Sequence, residues 1–473
     1  MVHGGDLMHS ADDLPQRIAE CSDEGLGLAC MYARSVPGGN VLEAVMIGDR
    51  VERITAFVEG TTYRSVTPSV PCASIYEREI YETYSLTPIG HRDMRPLRSR
   101  SPWGLSKDSA IPHNDISGSG IFEIPVGPIH AGVIGPGHFR FSVAGEPILM
   151  MRTYLGYSRR GVERLMETSA SADNTVIAER ISGDNAIAHA LAYLQTAEQD
   201  SDIPERARFI RTVLSELERI YNHLGTISGI ALDASLAVPA AQGGMLRENM
   251  LRLNEKICGH RQLWGMLKLG GVSRDISKAV LNEIEHETMK VGFDTDELVK
   301  LMVGSPSFMD RAETTGRLSY EDALRLRTVG PVARASGVAN DVRKNLPYAA
   351  YDMVAMKVPM CPTGDVYARL SVRHKEIKES VSVILQCINM MKDGPIRTAV
   401  RPKDGSYVGV TESPRGETVH CAHINDGKIT RYKIRDASFP NWPALESAVL
   451  GNIVPDFPLV NKSFDLSYSG NDL

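Results

Sequence analysis

Two stretches of the sequence carry polar side chains at spacings that suit a buried reactive centre. Residues 179–189 read Glu-Arg-Ile-Ser-Gly-Asp-Asn-Ala-Ile-Ala-His. A glutamate can move protons, an arginine can orient an electron acceptor, and a histidine exchanges protons near neutral pH. Interpreted as a helix that runs to about Gln199, the stretch places Ser182, Asn185 and His189 on one face. If that face is buried, all three side chains need hydrogen-bond partners.

A second stretch, residues 456–472 near the C-terminus, also carries small polar side chains. The first stretch resembles the motif Glu-Arg-x-Cys-Gly-x-Cys-x-x-x-His of nickel–iron hydrogenase large subunits, and the second resembles their Asp-Pro-Cys-x-x-Cys motif. The four cysteine positions of these motifs hold Ser182, Asn185, Ser467 and Gly470. Thiolates select metals of this kind, and a hydroxyl, an amide or a glycine hydrogen does not replace them. The resemblance therefore implies a large subunit without its nickel–iron centre.

Length and composition are those of an ordinary globular protein. The 473 residues are enough for two or three domains, and 42% are apolar and 23% charged. The net charge of −6 gives no electrostatic reason to expect nucleic acid as a partner. No apolar run approaches the roughly 20 residues that span a bilayer, and no signal peptide is recognised. We therefore expect any membrane association to come through partner subunits.

Seven cysteines are present, at positions that form no Cys-x-x-Cys pair. That spacing is typical of zinc and iron–sulfur sites, so we expect no such site in this chain. The odd number and the absence of a targeting signal favour reduced thiols in the cytoplasm.

The order of predicted elements indicates an α+β fold in three parts. Residues 1–100 alternate helix and strand signals, the latter at 41–47 and 53–58, and are predicted to be a small α/β domain. Residues 101–125 are rich in Ser, Gly and Pro and are predicted to be a linker. Residues 126–473 are predicted to form a mainly α-helical domain with a β-hairpin at its start.

Further motifs extend the resemblance over essentially the whole chain. Residues 72–97, with Glu-Arg-Glu and then Gly-His-Arg-Asp-Met-Arg-Pro-Leu, resemble the signature of the 30-kDa subunit of respiratory complex I. Residues 364–373 and 412–417 resemble loops shared by the 49-kDa subunit and the group 4 hydrogenases. A fused 30-kDa-like and 49-kDa-like chain is the arrangement of formate hydrogenlyase-type large subunits. The chain is identified as a member of this hydrogenase and complex I family.

The resemblance implies two groups of functional residues. The expected catalytic residues are Glu179, Arg180 and His189. The expected residues for binding an electron acceptor are His130, His138, Asp365, Arg369 and Arg415. Structural ion pairing is the alternative for the charged members, since buried charges are retained only when they are paired. A backbone hydrogen bond in a tight loop is the alternative for His130 and for His138, which is displaced by a two-residue insertion from the quinone-contacting histidine of the 49-kDa subunit.

The resemblance implies a nickel-free subunit of a membrane-associated complex, peripheral on the cytoplasmic face of the cell membrane. Its expected partners are a small iron–sulfur subunit with a [4Fe-4S] cluster and membrane-embedded antiporter-like subunits. Electrons from that cluster would reach a quinone or another acceptor, with coupled ion translocation, and the chain itself would bind no metal. Two alternatives stay open, namely a redox-inert scaffold that couples its partners and a hydrogenase with atypical ligands.

Overall fold

The N-terminal region alternates short strands and helices around one mixed sheet. In the computed structural model, the described residues are 8–97, 116, 118–130, 134–169 and 173–473. The N-terminal elements are β1 (Met8–Ser10), α1 (Leu14–Asp23), β2 (Gly27–Val36), β3 (Gly39–Ile47), β4 (Val51–Val58), β5 (Thr62–Arg64), α2 (Ser74–Tyr84) and β6 (Thr87–Ile89). The sheet order is β1–β4–β3–β2, with β1 parallel to β4 and the other pairs antiparallel. The strands predicted at 41–47 and 53–58 lie within β3 and β4, and the predicted mixture of helix and strand is confirmed.

A second sheet opens the larger region. Its antiparallel strands are β7 (Ile121–Val126), β8 (His138–Ala144) and β9 (Ile148–Tyr154). The predicted β-hairpin is the β8–β9 pair. Within the predicted linker, 101–115 lies outside the described residues, whereas 121–125 belongs to β7 and pairs with β8. The apolar residues of β7 are few beside the many Ser and Gly residues before them, so the composition of the whole segment indicated a linker.

A bundle of long helices forms the main core. The elements of this region are α3 (Val162–Thr168), α4 (Thr175–Ala178), α5 (Ala186–Glu198), α6 (Glu205–Asp233), α7 (Ala237–Cys258), β10 (Leu267–Lys268), β11 (Gly271–Val272), α8 (Lys278–Val303), α9 (Pro306–Ala312), α10 (Tyr320–Arg325), α11 (Gly330–Ala335), α12 (Val342–Asn345) and α13 (Val366–Met390). Helix α6 begins after Pro204 and packs against α7 and α13, which both contact α8. Apolar residues at three- and four-residue spacing along α6 supply the buried face.

A third sheet near the C-terminus joins the two regions. Its antiparallel strands are β12 (Gly405–Ser413), β13 (Gly416–Asn425) and β14 (Lys428–Arg435), followed by α14 (Ser438–Ala448), α15 (Phe457–Phe464) and α16 (Tyr468–Asp472). Strands β12 and β13 pack against α5. On their other side, Val410, Val419 and Cys421 belong to the core of the N-terminal sheet. The N-terminal region therefore shares its core with residues from the end of the chain.

The segment before α5 differs from the prediction. The helix begins at Ala186, so Ser182 and Asn185 precede it, and the prediction that both share a helix face with His189 is wrong. Tertiary donors take the carbonyl groups that a helix would use. Asp184 O accepts hydrogen bonds from Tyr221 and Asn222, and Gly183 O accepts one from a tryptophan indole. Such contacts cannot be read from helical spacing.

No helix in the part of the chain that the structure describes is long and apolar enough to cross a membrane.

Candidate functional site

The two cysteine-free motifs meet in space. Ser182 lies in the turn before α5, and Ser467 caps α16 by accepting a hydrogen bond from Gly470 N at 3.0 Å. The Oγ atoms of Ser182 and Ser467 are 2.8 Å apart. Asn185 is fully buried, and neither atom of its side-chain amide has a hydrogen-bond partner among the described residues. Below, these four positions are called the vacated site.

His189 belongs to a buried hydrogen-bonded chain beside the vacated site. Its Nε2 lies 3.0 Å from Asp436 Oδ2, and its Nδ1 lies 3.0 Å from Nε2 of His420. Tyr432 OH lies 2.7 Å from Nδ1 of His420. When both rings are neutral, all three hydrogen bonds point the same way: the Tyr432 hydroxyl donates to His420, His420 donates to His189, and His189 donates to the carboxylate of Asp436. It can therefore hold or pass a proton without solvent.

The surroundings of this hydrogen-bonded chain shift the pKa values of His420 and Asp436. Burial lowers the pKa of His420 well below its ordinary value, and the neighbouring His189 lowers it further. Burial alone would raise the pKa of Asp436, but the contacts with His189 and Ser438 together outweigh it and bring that pKa to about 2. The hydrogen-bonded chain thus ends at Asp436, whose carboxylate is ionised at neutral pH.

The side chains at the vacated site do not fit a nickel–iron centre. No thiolate is present there, and the hydroxyl and amide groups that remain are poor ligands for such metals. A Cβ atom at Gly470 would lie only 2.6 Å from Oδ2 of Asp436, so this carboxylate occupies the space of a ligand side chain. Across the described ranges, no group of three His, Cys, Asp or Glu side chains is placed to hold a metal ion.

Arg415 connects the vacated site to neighbouring carboxylates. Its Nη2 donates to Asp184 Oδ2 at 2.8 Å, and its Nε donates to the carbonyl of Asp465 at 2.5 Å. The other oxygen of Asp184 accepts the hydroxyl of Ser182 at 3.0 Å. Burial would raise the pKa of Asp184, but Arg415 outweighs it and lowers that pKa. The Ser182 hydroxyl is therefore held next to an ionised carboxylate.

Glu179 and Arg180 differ in burial, although their side chains form an ion pair at 3.8 Å. Glu179 is buried and accepts a hydrogen bond from Gly265 N at 2.8 Å, and burial raises its pKa. The side chain of Arg180 is 48% exposed and lies over the ring of Trp264, 4.5 Å from its centroid. His260 stacks on Trp264 at 4.4 Å. Glu179 has the raised pKa that suits a proton carrier, whereas Arg180 presents its charge at the surface.

Asp365 and Arg369 are embedded in the fold. Asp365 caps α13 by accepting from Ala368 N at 2.8 Å. Arg369 is fully buried and donates to Ser463 Oγ, Gly364 O and Gly316 O at 2.6–2.9 Å. Burial and the nearby Arg373 lower the pKa of Arg369 to about 9. These contacts tie the start of α13 to α15.

His130 and His138 bond to the backbone of their own loop. His130 Nε2 lies 2.7 Å from Gly137 O, and His138 Nδ1 lies 3.2 Å from Gly127 O. Burial lowers the pKa of His138, and its Nε2 has no partner in the described part of the chain. A Cβ atom at Gly137 would meet the ring of Tyr468, which follows Ser467. The loop therefore contacts the vacated site through Tyr468.

Sequence reasoning did not find Asp436, His420 and Tyr432. Strands β13 and β14, which carry His420 and Tyr432 and lead into Asp436, were not anticipated, because the resemblance singled out residues 412–417 and not the residues after them. A histidine within the buried run of β13 was the available signal, since a buried imidazole requires a polar partner.

The comparisons with known proteins agree with this architecture. Residues 28–114 match the model of the respiratory-chain NADH dehydrogenase 30 Kd subunit, and residues 238–403 match that of the 49 Kd subunit. The fused 30 Kd-like and 49 Kd-like regions relate the chain to subunits of complex I-like and hydrogenlyase complexes. This chain belongs to that family of oxidoreductase subunits.

Three relatives illustrate the range of the family. Formate hydrogenlyase subunit 5 of Escherichia coli (strain K12) is 32% identical over 87% of this chain and 77% of its own length. Hydrogenase-4 component G of the same organism is 31% identical over 94% of this chain and 80% of its own length. An NADH-quinone oxidoreductase subunit of Bacteroides thetaiotaomicron is 28% identical over 90% of this chain and 88% of its own length. The names of these relatives include both hydrogenases and a quinone oxidoreductase.

Proposed function

We propose that the chain is the nickel-free large subunit of a membrane-associated, complex I-related oxidoreductase complex. Electrons from a [4Fe-4S] cluster in a small partner subunit pass to a quinone or another acceptor near the vacated site. Membrane-embedded antiporter-like subunits couple this transfer to ion translocation, and the chain lies peripherally on the cytoplasmic face of the membrane. The observation that carries this proposal is the meeting of Ser182 with Ser467 at 2.8 Å where thiolates would hold a metal.

The charged surroundings of the vacated site support a role in electron and proton transfer. Two buried features near the motif residues can hold a proton. One is the hydrogen-bonded chain that links Tyr432 to Asp436 through the two histidines, and the other is Glu179. Asn185 leaves a donor and an acceptor free for a polar ligand. In this proposal, Glu179 moves protons while Arg180 and His189 orient the acceptor.

The second candidate function is a redox-inert scaffold. One observation favours it: both ring nitrogens of His189 are engaged by protein side chains, and Asp436 occupies the space beside Gly470. A site closed in this way would transmit conformational change or protons between partners without binding an acceptor.

Purification of the intact complex separates these functions. We expect copurified iron and a small iron–sulfur subunit, no stoichiometric nickel, no hydrogen evolution and reduction of a quinone or another acceptor. Elemental analysis, hydrogen assays and acceptor-reduction assays measure these outcomes. About one nickel per chain together with hydrogen evolution would contradict the proposal, and a complex that assembles but reduces no acceptor would favour the scaffold.

A further inference from the structure

A buried cluster of charges lies between the helix bundle and the third sheet, apart from the vacated site. Its members each expose 2% or less of their surface. They are Glu216 and Arg219 of α6, Arg334 of α11, Asp341 and Arg343 around the start of α12, Glu376 of α13 and Glu412 of β12. We call this set the seven-charge cluster. Charges removed this completely from water need compensation from one another.

One half of the cluster is richly paired. Glu216 accepts hydrogen bonds from Arg219 at 3.2 Å, from Arg343 at 3.1 Å and from Ser380 at 2.6 Å. Tyr351 also donates to Glu216. The guanidinium of Arg343 reaches Asp341 at 2.7 Å. Positive charge and hydroxyl donors therefore surround these two carboxylates.

The other half is centred on Arg334. This guanidinium donates to Glu376 at 2.8 Å and to Glu412 at 2.8 Å, and it lies 3.5 Å from Asp341. Glu376 also contacts Nε2 of His223 at 2.7 Å. Burial lowers the pKa of His223 to about 4, so the imidazole is neutral at physiological pH. His223 therefore adds no positive charge to the cluster.

The charges of the cluster do not balance when every carboxylate is ionised. Its members are four carboxylates and three guanidiniums, which leaves one surplus negative charge. An uncompensated buried charge is expensive, and such a site takes up a proton instead. The carboxylate of the cluster with the fewest donors is therefore the one that takes up a proton.

Glu412 is the carboxylate that is least well compensated. The donors that reach it among the described residues are Arg334 at 2.8 Å and Val342 N at 3.1 Å. Burial and the neighbouring Asp341 raise the pKa of Glu412 to about 7. Glu216, with more donors and two guanidiniums, has a lowered pKa although burial opposes this. The surplus proton therefore belongs on Glu412.

The other charged and titratable groups around Glu412 do not change this assignment. Glu417 lies opposite Glu412 in the β12–β13 ladder, and Arg435 donates a hydrogen bond to the carboxylate of Glu417. Arg373 of α13 donates to main-chain carbonyl groups. The charged groups that act on Glu412 are Asp341, Arg334, Arg343 and Arg219. The elements around it also carry Glu216 and His223 on α6, Tyr348 in the loop after α12, Arg373 and Glu376 on α13, and Glu417 on β13.

We propose that Glu412 is a proton-storage site, which exchanges one proton with solvent through the wall of an adjacent cleft. The cleft has a volume of about 880 Å³ and is lined by Tyr348, whose hydroxyl accepts a hydrogen bond from Glu412 N at 3.1 Å. The proton arrives from hydronium in the cleft, binds the Glu412 carboxylate and leaves to water by the same route. No other bond is made or broken.

The same turn links the stored proton to the vacated site. Arg415 follows Glu412 by three residues between β12 and β13, and its guanidinium binds Asp184, which holds Ser182. Through this link, the proton on Glu412 would compensate the negative charge of an electron that reaches the vacated site. This role rests on the proposed function. Proton storage itself requires no electron transfer.

Infrared spectroscopy of the purified full-length protein tests the storage site directly. Between pH 5 and 9, we expect a protonated carboxyl band that titrates with a midpoint near 7 and is missing in Glu412→Gln. Isotope labelling of glutamate identifies the band in the wild-type protein as a glutamate carboxyl. Glu218 is also buried with a pKa raised to about 8, so Glu218→Gln removes a separate, higher component.

A control variant makes the result decisive. Glu248→Gln changes a surface glutamate whose pKa lies at about 2, and it should leave the spectrum unchanged over this pH range. A folded Glu412→Gln protein that keeps the band overturns the assignment. If that variant does not fold, a labelled wild-type protein with no glutamate carboxyl titrating near pH 7 overturns it equally. Neither readout requires turnover, so a failure of the proposed function leaves the result interpretable.

Discussion

The carboxylate of Asp436 fills the space that a side chain at Gly470 would need. A Cβ atom at Gly470 would lie 2.6 Å from both Cγ and Oδ2 of Asp436, and His189 and Ser438 N hold that carboxylate in place. The glycine at this motif position is therefore accompanied by a carboxylate in the space beside it. A larger side chain at position 470 requires that Asp436 also moves or changes.

The first prediction concerns this contact. We expect Gly470→Ala to lower the free energy of unfolding by roughly 1–3 kcal/mol, because an added methyl group forces the buried carboxylate to move. Urea denaturation measures the change. Gly394→Ala is the matched control, since a Cβ atom there meets nothing within 4 Å. Equal stability of the two variants would show that Asp436 moves freely.

The sequence was sufficient for the family and for the mixed α+β fold. Motif positions carry that information, because homologous chains place them alike. It was not sufficient for the local structure before α5, where tertiary donors use the carbonyl of Asp184. The partners of His189 were also missed. Asp436 lies 247 positions away, and nothing in local spacing reports such a contact.

The second prediction concerns the pH dependence of stability. The folded pKa of Asp436 is about 2, below its ordinary value of 3.8. A carboxylate with a lowered folded pKa stabilises the protein above its unfolded pKa and loses this effect as the pH falls through the folded pKa. We expect Asp436→Asn to cost about 2 kcal/mol at pH 7 and about half of that at pH 3.

Denaturant unfolding at several pH values measures this dependence, and Glu248→Gln is its control. The pKa of Glu248 is also about 2, but its side chain is exposed and paired with Arg261 on the surface. The effect of the control substitution should therefore vanish in high salt, whereas the effect of Asp436→Asn should persist. A penalty for Asp436→Asn that does not change between pH 7 and pH 3 would contradict an Asp436 carboxylate whose pKa is lowered in the folded protein.

The third prediction distinguishes structure from acceptor binding at Arg369. Its donors satisfy Ser463, Gly364 O and Gly316 O. We expect Arg369→Met to destabilise the protein by at least roughly 1–3 kcal/mol, since buried acceptors lose their donors. Thermal or urea unfolding measures the loss, with the exposed Arg325→Met as control. A stable Arg369→Met protein with weakened acceptor affinity would instead assign Arg369 to binding.

The fourth prediction concerns Glu179 and Arg180 in the assembled complex. Glutamine at position 179 can still accept the hydrogen bond from Gly265 N, and Arg180 is half-exposed, so we expect both single variants to assemble. Glu179→Gln should slow electron transfer by roughly a hundredfold or more, which is the range for a lost acid–base group. Arg180→Met should lower the rate of electron transfer, because it removes a charge that would act on the acceptor or on the cluster of the partner subunit.

Turnover measured against pH separates a proton carrier from a structural residue. Burial raises the pKa of Glu179, so the wild-type rate should change with pH above the ordinary glutamate range. That dependence should disappear in Glu179→Gln and remain in Arg180→Met. Arg164→Met, at a more exposed arginine outside the motif, is the control for general loss of charge. If both motif variants assemble and transfer electrons at the parental rate, the vacated site is not used in catalysis and the scaffold function replaces the proposed one.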